Sequence, residues 1–133
     1  MELSYDDKLL DNDKDYQEFI KNSPGKGYLK IRATSANEAV PVSGLNIKVS
    51  KDIGNNKVIF YEGVTDYSGM INDIMLPAPP SIKSDLEIPM FNTYKIEAYN
   101  NTFKQEYNIS VCCSFTIIQY INVIPNMENS YGY

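Results

Sequence analysis

The sequence predicts an all-β chain: a seven-stranded antiparallel β-sandwich carrying one short helix at its N-terminus. Three observations support that reading. From Gly27 onward apolar residues recur at every second position, in seven runs of strand length, as half-buried strands require. Glycine, asparagine and proline punctuate the runs, and no long helical pattern alternates with them as a parallel α/β sheet would demand. Before Gly27 the apolar spacing is helical instead.

Residues 1–24 form the first segment. Tyr16, Phe19 and Ile20 stand at i, i+3 and i+4, one stripe of a helix of roughly ten residues. Asn12 or Asp13 caps its start, and Asn22-Ser23-Pro24-Gly25 stops it. So short a helix is marginal alone, so it is expected to dock on something, behind a frayed tail.

The strands follow. GYLKIRAT sets Leu29, Ile31 and Ala33 against Tyr28, Lys30 and Arg32; LNIKVSK repeats the alternation with Leu45, Ile47 and Val49. Ile53-Gly54-Asn55-Asn56 reads as a hairpin turn into KVIFYEGVT. MINDIML, YKIEAYN, FKQEYNISVC and SFTIIQYINVIP complete the set, with Asn100-Asn101-Thr102 turning between YKIEAYN and FKQEYNISVC. This assigns 25–126 to the sandwich and 127–133 to a C-terminal tail. One connection, 77–93, is long and holds four prolines. Loops beyond about twelve residues in a compact domain are usually functional or mobile, so its apolar residues Ile82, Leu86, Ile88, Met90 and Phe91 are candidates for partner contact.

Composition bounds the function. A chain of 133 residues is of single-domain size. Its net charge of −5, with Arg32 the one arginine and the lysines scattered, argues against nucleic-acid binding, which needs a concentrated basic face. The acidic first residues lack the apolar core of a signal peptide, which points to the cytoplasm, with the spore or cell envelope, reached by another route, as the alternative. No run approaches the roughly eighteen apolar residues of a membrane span. Cys112 and Cys113 are adjacent, a spacing that strains a disulfide; the expectation is one buried apolar residue and one on the other face.

A resemblance enters through the turns. Pro41-Val42-Ser43-Gly44-Leu45 follows the first strand, Gly63-Val64-Thr65-Asp66-x-x-Gly69 comes about twenty residues later, and the next strand ends in Leu76-Pro77. This pattern resembles the carboxypeptidase regulatory-like modules, which have a seven-stranded sandwich of the transthyretin (prealbumin) type. The LPAPP ending looks most similar to prealbumin-like domains of clostridial proteins related to the N-terminal region of spore cortex-lytic enzyme. The resemblance implies the fold, and a process such as sporulation or cortex peptidoglycan metabolism. It does not imply a chemistry. The residues give these motifs turn roles. Pro41 lacks a donor and Gly44 accepts positive φ, while Asp66 accepts bonds from following amides ahead of Gly69.

No catalytic constellation is found. The sequence has no histidine, which removes Ser–His and Cys–His nucleophiles and the histidines that hydroxyisourate hydrolases and intradiol dioxygenases use. A Lys–Asn isopeptide, as in collagen-adhesin B-type modules, would need Lys30, Glu97 and Asn122 inside, but strand phase puts Lys30 and Glu97 outside. Asp11-Asn12-Asp13-Lys14-Asp15 imitates a calcium loop, yet Tyr16 and Asn22 stand where glycine and glutamate belong, leaving a helix-capping acidic turn. No cofactor and no metal is expected. Pro77 to Pro80 reads as a rigid spacer. The sequons at Asn100 and Asn108 matter only in a secreted eukaryotic protein.

Eleven tyrosines suggest binding. Tyr28, Ile59, Tyr61, Tyr99, Ile118 and Tyr120 fall on outer faces if their neighbours fill the core. Either the N-terminal helix covers that surface with Leu10, Phe19 and Ile20, or a partner or second copy does; Tyr61, Tyr99 and Tyr120 are the binding candidates. The resulting expectation is a non-catalytic interaction or accessory module, a monomer or weak homodimer, whose partner is a protein such as a cell-wall-associated enzyme. A self-associating envelope module and a small hydrolase or ligand-binding protein with a carboxylate-based site are the alternatives.

Overall fold

The structure, a computed structural model, describes residues 1–36, 38–80 and 90–124. Ile82, Leu86 and Ile88, and the tail 127–133, lie outside the described residues. Among those described, the strands are β1 (Glu2–Ser4), β2 (Gly25–Ser35), β3 (Val40–Pro41), β4 (Asn46–Ile53), β5 (Asn56–Val64), β6 (Met70–Ala78), β7 (Asn92–Tyr99), β8 (Lys104–Val111) and β9 (Thr116–Asn122), with a short 3-10 helix (Lys8–Asn12) and one α-helix, α1 (Lys14–Lys21). The fold class is the one the alternation predicts: a mostly β, two-sheet sandwich with a short helix. The seven expected strands are β2 and β4 to β9.

One sheet has five strands in the order β1-β5-β4-β7-β8; the other places β2 between β6 and β9, with β3 pairing the end of β2. Two pairings are parallel rather than antiparallel. The turn at 112–115 leads from β8 of one sheet to the other, and β9 arrives beside β2 running in the same direction. The second parallel pair is β1 on β5, where a frayed tail was expected. Leu3 explains the difference: it pairs with Val58 and is buried, while Glu2 and Ser4 on either side face solvent. A three-residue strand is too short for periodicity to reveal.

The inner faces of the two sheets make one core. Leu29, Ile31 and Ala33 of β2 pack with Leu45, Ile47 and Val49 near β4 and with Ile96 and Ala98 of β7, all essentially without exposure. At about 25 cal/mol per Å² of apolar surface, each fully buried Leu or Ile contributes roughly 1.5–3 kcal/mol before entropy is charged. The helix closes one end of this core. Asp13 caps it, accepting from Tyr16 N at 2.9 Å, and its other oxygen accepts from Asn56 Nδ2 at 2.8 Å, tying the helix to the β4–β5 hairpin. Tyr16 is buried, and the Phe19 ring meets Phe60, which meets Tyr94 edge-on at 5.4 Å. Ile20 ends at the exposed margin, so the stripe points into the end of the core and not across an outer sheet face.

Candidate functional site

The turn residues come together around Thr65. Its buried hydroxyl donates to Val42 O at 2.7 Å and accepts from Leu45 N at 3.0 Å, locking the entry of β4 to the end of β5. Asp66 Oδ1 accepts from Ser68 N and Met70 N. Gly69 has φ of +75°, and a side chain there would collide with Ala33 O. Gly44 has φ of +76° in open space, and Pro41 pairs with Thr34. Every polar atom of this cluster that points inward has a backbone partner, so its chemistry is hydrogen bonding within the chain.

Clefts open around the sandwich. One, of about 460 Å³, lies between the helix and the four-stranded sheet, with Tyr5, Ile20, Phe60 and Met75 on its walls. Another, of about 420 Å³, holds Met90 and Phe91 against Phe19, Ile53 and Pro79; these two loop residues are 64% and 55% exposed. A groove of about 580 Å³ follows the edges of β8 and β9, with Phe103, Tyr107, Tyr120 and Ile124 along it. Among the residues lining these three clefts, the acids are Asp15 and Glu18, both exposed on the helix.

Two perturbed groups belong to packing. The Lys51 ammonium lies over the Phe19 and Tyr94 rings at 5.7 and 5.8 Å and donates to Thr93 O at 3.0 Å; burial pulls its pKa down. Burial pushes the Tyr94 phenol well up, and its hydroxyl donates to Pro77 O. The Lys51–Tyr94 pair thus closes the core beside the helix. Cys112 and Cys113 are both half-buried thiols, not one in and one out, because they sit in a turn closed by Phe115 N to Cys112 O.

The three tyrosine candidates lie on three different surfaces. A bulge in β5 pairs Val49 with Tyr61 and Ser50 with Ile59, skipping Phe60; this flips Tyr61 to the core side, where its ring lies along Gly63. Burial raises the Tyr61 pKa. Tyr99 faces outward on the five-stranded sheet opposite Asn46. Tyr120 faces outward on the four-stranded sheet beside Arg32.

The two outer faces differ in charge. On the five-stranded sheet, Glu2 meets Lys48 at 3.1 Å and Lys57 at 3.6 Å, Lys57 also meets Glu97, and Lys95 reaches Glu106. On the four-stranded sheet, β2 projects Lys26, Tyr28, Lys30 and Arg32 outward, since Leu29, Ile31 and Ala33 take the core. Among the described residues none of those three cations has an acid within ion-pair distance. Exposed apolar side chains flank them: Met75 beside Tyr28, Ile118 beside Lys30 and Tyr120 beside Arg32, at 51%, 45% and 55% exposure. The isopeptide candidates divide accordingly, Lys30 and Asn122 on this face and Glu97 on the other. Charge counting missed the cationic stripe because the lysines look dispersed in sequence; the alternation of GYLKIRAT was the signal that places them together.

No protein-family model matches the chain, and no curated protein matches it. Among solved structures it is similar to the 5-hydroxyisourate hydrolase of Klebsiella pneumoniae, with a TM-score of 0.47 and 13% identity over 74% of this chain and 91% of that one.

Proposed function

We propose that the chain is a non-catalytic β-sandwich interaction module whose contact surface is the outer face of the four-stranded sheet. One observation carries this reading: Met75, Ile118 and Tyr120 are each about half exposed on one sheet face, where an apolar patch among polar residues marks a place for a partner. The histidine-free sequence supports the non-catalytic part, as does the lining of the three clefts described above, whose acids are Asp15 and Glu18, two solvated helix residues. The process we propose, on the motif resemblance to clostridial prealbumin-like domains alone, is sporulation or cortex peptidoglycan metabolism, with a cell-wall-associated enzyme as partner. The test is affinity capture with three baits. The parent and Tyr99→Ala retain the same captured protein, and an Ile118→Asp/Tyr120→Asp variant loses it. An unchanged protein set on that double variant refutes the reading.

A second reading, self-association, has its own support. Among the described residues, strands β8 and β9 are unpaired on one side over eight and seven residues, without proline or register shift, whereas β6 carries Pro77 and a bulge. Unblunted edges invite pairing. A mass that rises with concentration in light scattering distinguishes it from the first.

A further inference from the structure

Resting on that choice of face, we infer that its partner is an extended acidic peptide segment lying along β2. A chain of net charge −5 gathers Lys26, Lys30 and its single arginine on one strand, all pointing the same way. On the five-stranded sheet Lys48, Lys57 and Lys95 are matched with glutamates; here, among the described residues, the β6 edge offers Asp73, in the bulge that lies across from Lys30, and no ion pair forms. Cations left unmatched beside exposed apolar side chains are complementary to a ligand that brings both carboxylates and apolar groups.

Spacing selects an extended polypeptide. Same-face positions of a strand recur at about 6.6 Å, so Lys30 and Arg32 stand about one such repeat apart and Lys26 about two from Lys30. A second extended chain with acids at alternate residues has the same repeat. With its acids turned to β2 its intervening residues point away from the sheet, and Ile118 and Tyr120 on one side and Met75 on the other flank its backbone and the methylene stems of its acids. Long polyanions fit less well. Three cations release few counterions, and the overall negative charge repels a nucleic acid or an anionic membrane whose field extends beyond the face. Within a second copy of this chain, Asp11 to Asp15 is folded into a helical turn and a cap, where Asp13 is engaged with Tyr16 and Asn56, and Asp85-Leu86-Glu87-Ile88, which alternates acid and apolar, is the segment the light-scattering measurement below tests.

The probe is a fluorescein-labelled peptide of about ten residues alternating Glu and Val, read by anisotropy against the full chain. Companion peptides alternate Gln with Val and Lys with Val. The Glu peptide binds, and raising salt from about 50 to about 300 mM weakens it several-fold, as screening requires. A Lys30→Glu/Arg32→Glu variant, checked for an unchanged thermal midpoint, weakens it by about tenfold or more. Equal binding of the Gln peptide, or no effect of the double reversal, overturns the acidic assignment while leaving the face as a contact surface. An Ile118→Asp/Tyr120→Asp variant that binds the Glu peptide as the parent does overturns the face itself. Absence of Glu-peptide binding at low salt, tighter binding to a thymidine oligonucleotide or to vesicles containing phosphatidylserine, or a salt-sensitive dimer in light scattering overturns the peptide in favour of that other occupant or of none.

Discussion

The outer faces of the two sheets use the same strand chemistry to opposite ends. On the five-stranded sheet a glutamate stands beside most lysines, and β1 is laid on the edge so that Glu2 bridges Lys48 and Lys57. On the four-stranded sheet the cations of β2 have no acid at ion-pair distance among the described residues, and the neighbouring side chains are exposed and apolar. The difference teaches where charge is used to hold the fold and where it is left for something outside. Mutations on the first face should therefore change stability, and mutations on the second should change binding with little cost in stability.

The largest expected effect tests what holds β1 in place. Leu3→Ala removes the buried side chain that anchors the strand and should cost about 2–4 kcal/mol in urea denaturation; an unchanged midpoint would show that β1 contributes nothing to that face. Glu97→Ala comes next. Its carboxylate is 12% exposed and serves Lys57, so the loss should be about 1 kcal/mol and shrink in high salt. A loss insensitive to salt would assign Glu97 to packing.

Acidity sharpens the same contrast. The hydrogen bond from Lys48, helped by the charges of Lys48 and Lys57, holds the Glu2 carboxyl below its ordinary value of 4.5. A depressed carboxylate stabilises fully above that ordinary value, and the contribution fades as pH falls through the lowered one. Lys57, raised chiefly by its hydrogen bond to Glu97, behaves in mirror fashion: its contribution is complete below 10.5 and fades as pH rises through the raised value. Thermal midpoints measured against pH should thus show Glu2→Gln losing stability relative to the parent at neutral pH, with the gap closing in acid. A gap constant with pH contradicts the ion-pair account. The smallest effect belongs to the other face. Lys30→Gln/Arg32→Gln should stay within about 0.5 kcal/mol of the parent, and a large loss would mean those cations are structural after all.

Much of this was legible in sequence, for a physical reason. Period-two alternation reports which side of a strand is buried, so Leu29, Ile31 and Ala33 identified the core side of β2, and with it the outward set Lys30 and Arg32. What alternation cannot report is a one-residue slip. The bulge at Phe60 turned Tyr61 inward while Ile59 stayed outward, and nothing in KVIFYEGVT marks it. Cross-strand neighbours are likewise invisible along the chain. That Ile118 and Tyr120 stand beside Lys30 and Arg32 depends on β9 entering parallel to β2, a pairing set by the path of the chain through 112–115 and not by local pattern. Short elements escape as well, as β1 did.

Backbone amide shifts recorded while the Glu–Val peptide is titrated test the central claim most directly. The account predicts that the perturbed amides fall on β2, from Lys26 to Thr34, and on β9, from Thr116 to Asn122, with the five-stranded sheet unmoved. Shifts centred instead on Glu2, Lys48 and Glu97, or on Met90 and Phe91 beside the helix, would contradict it.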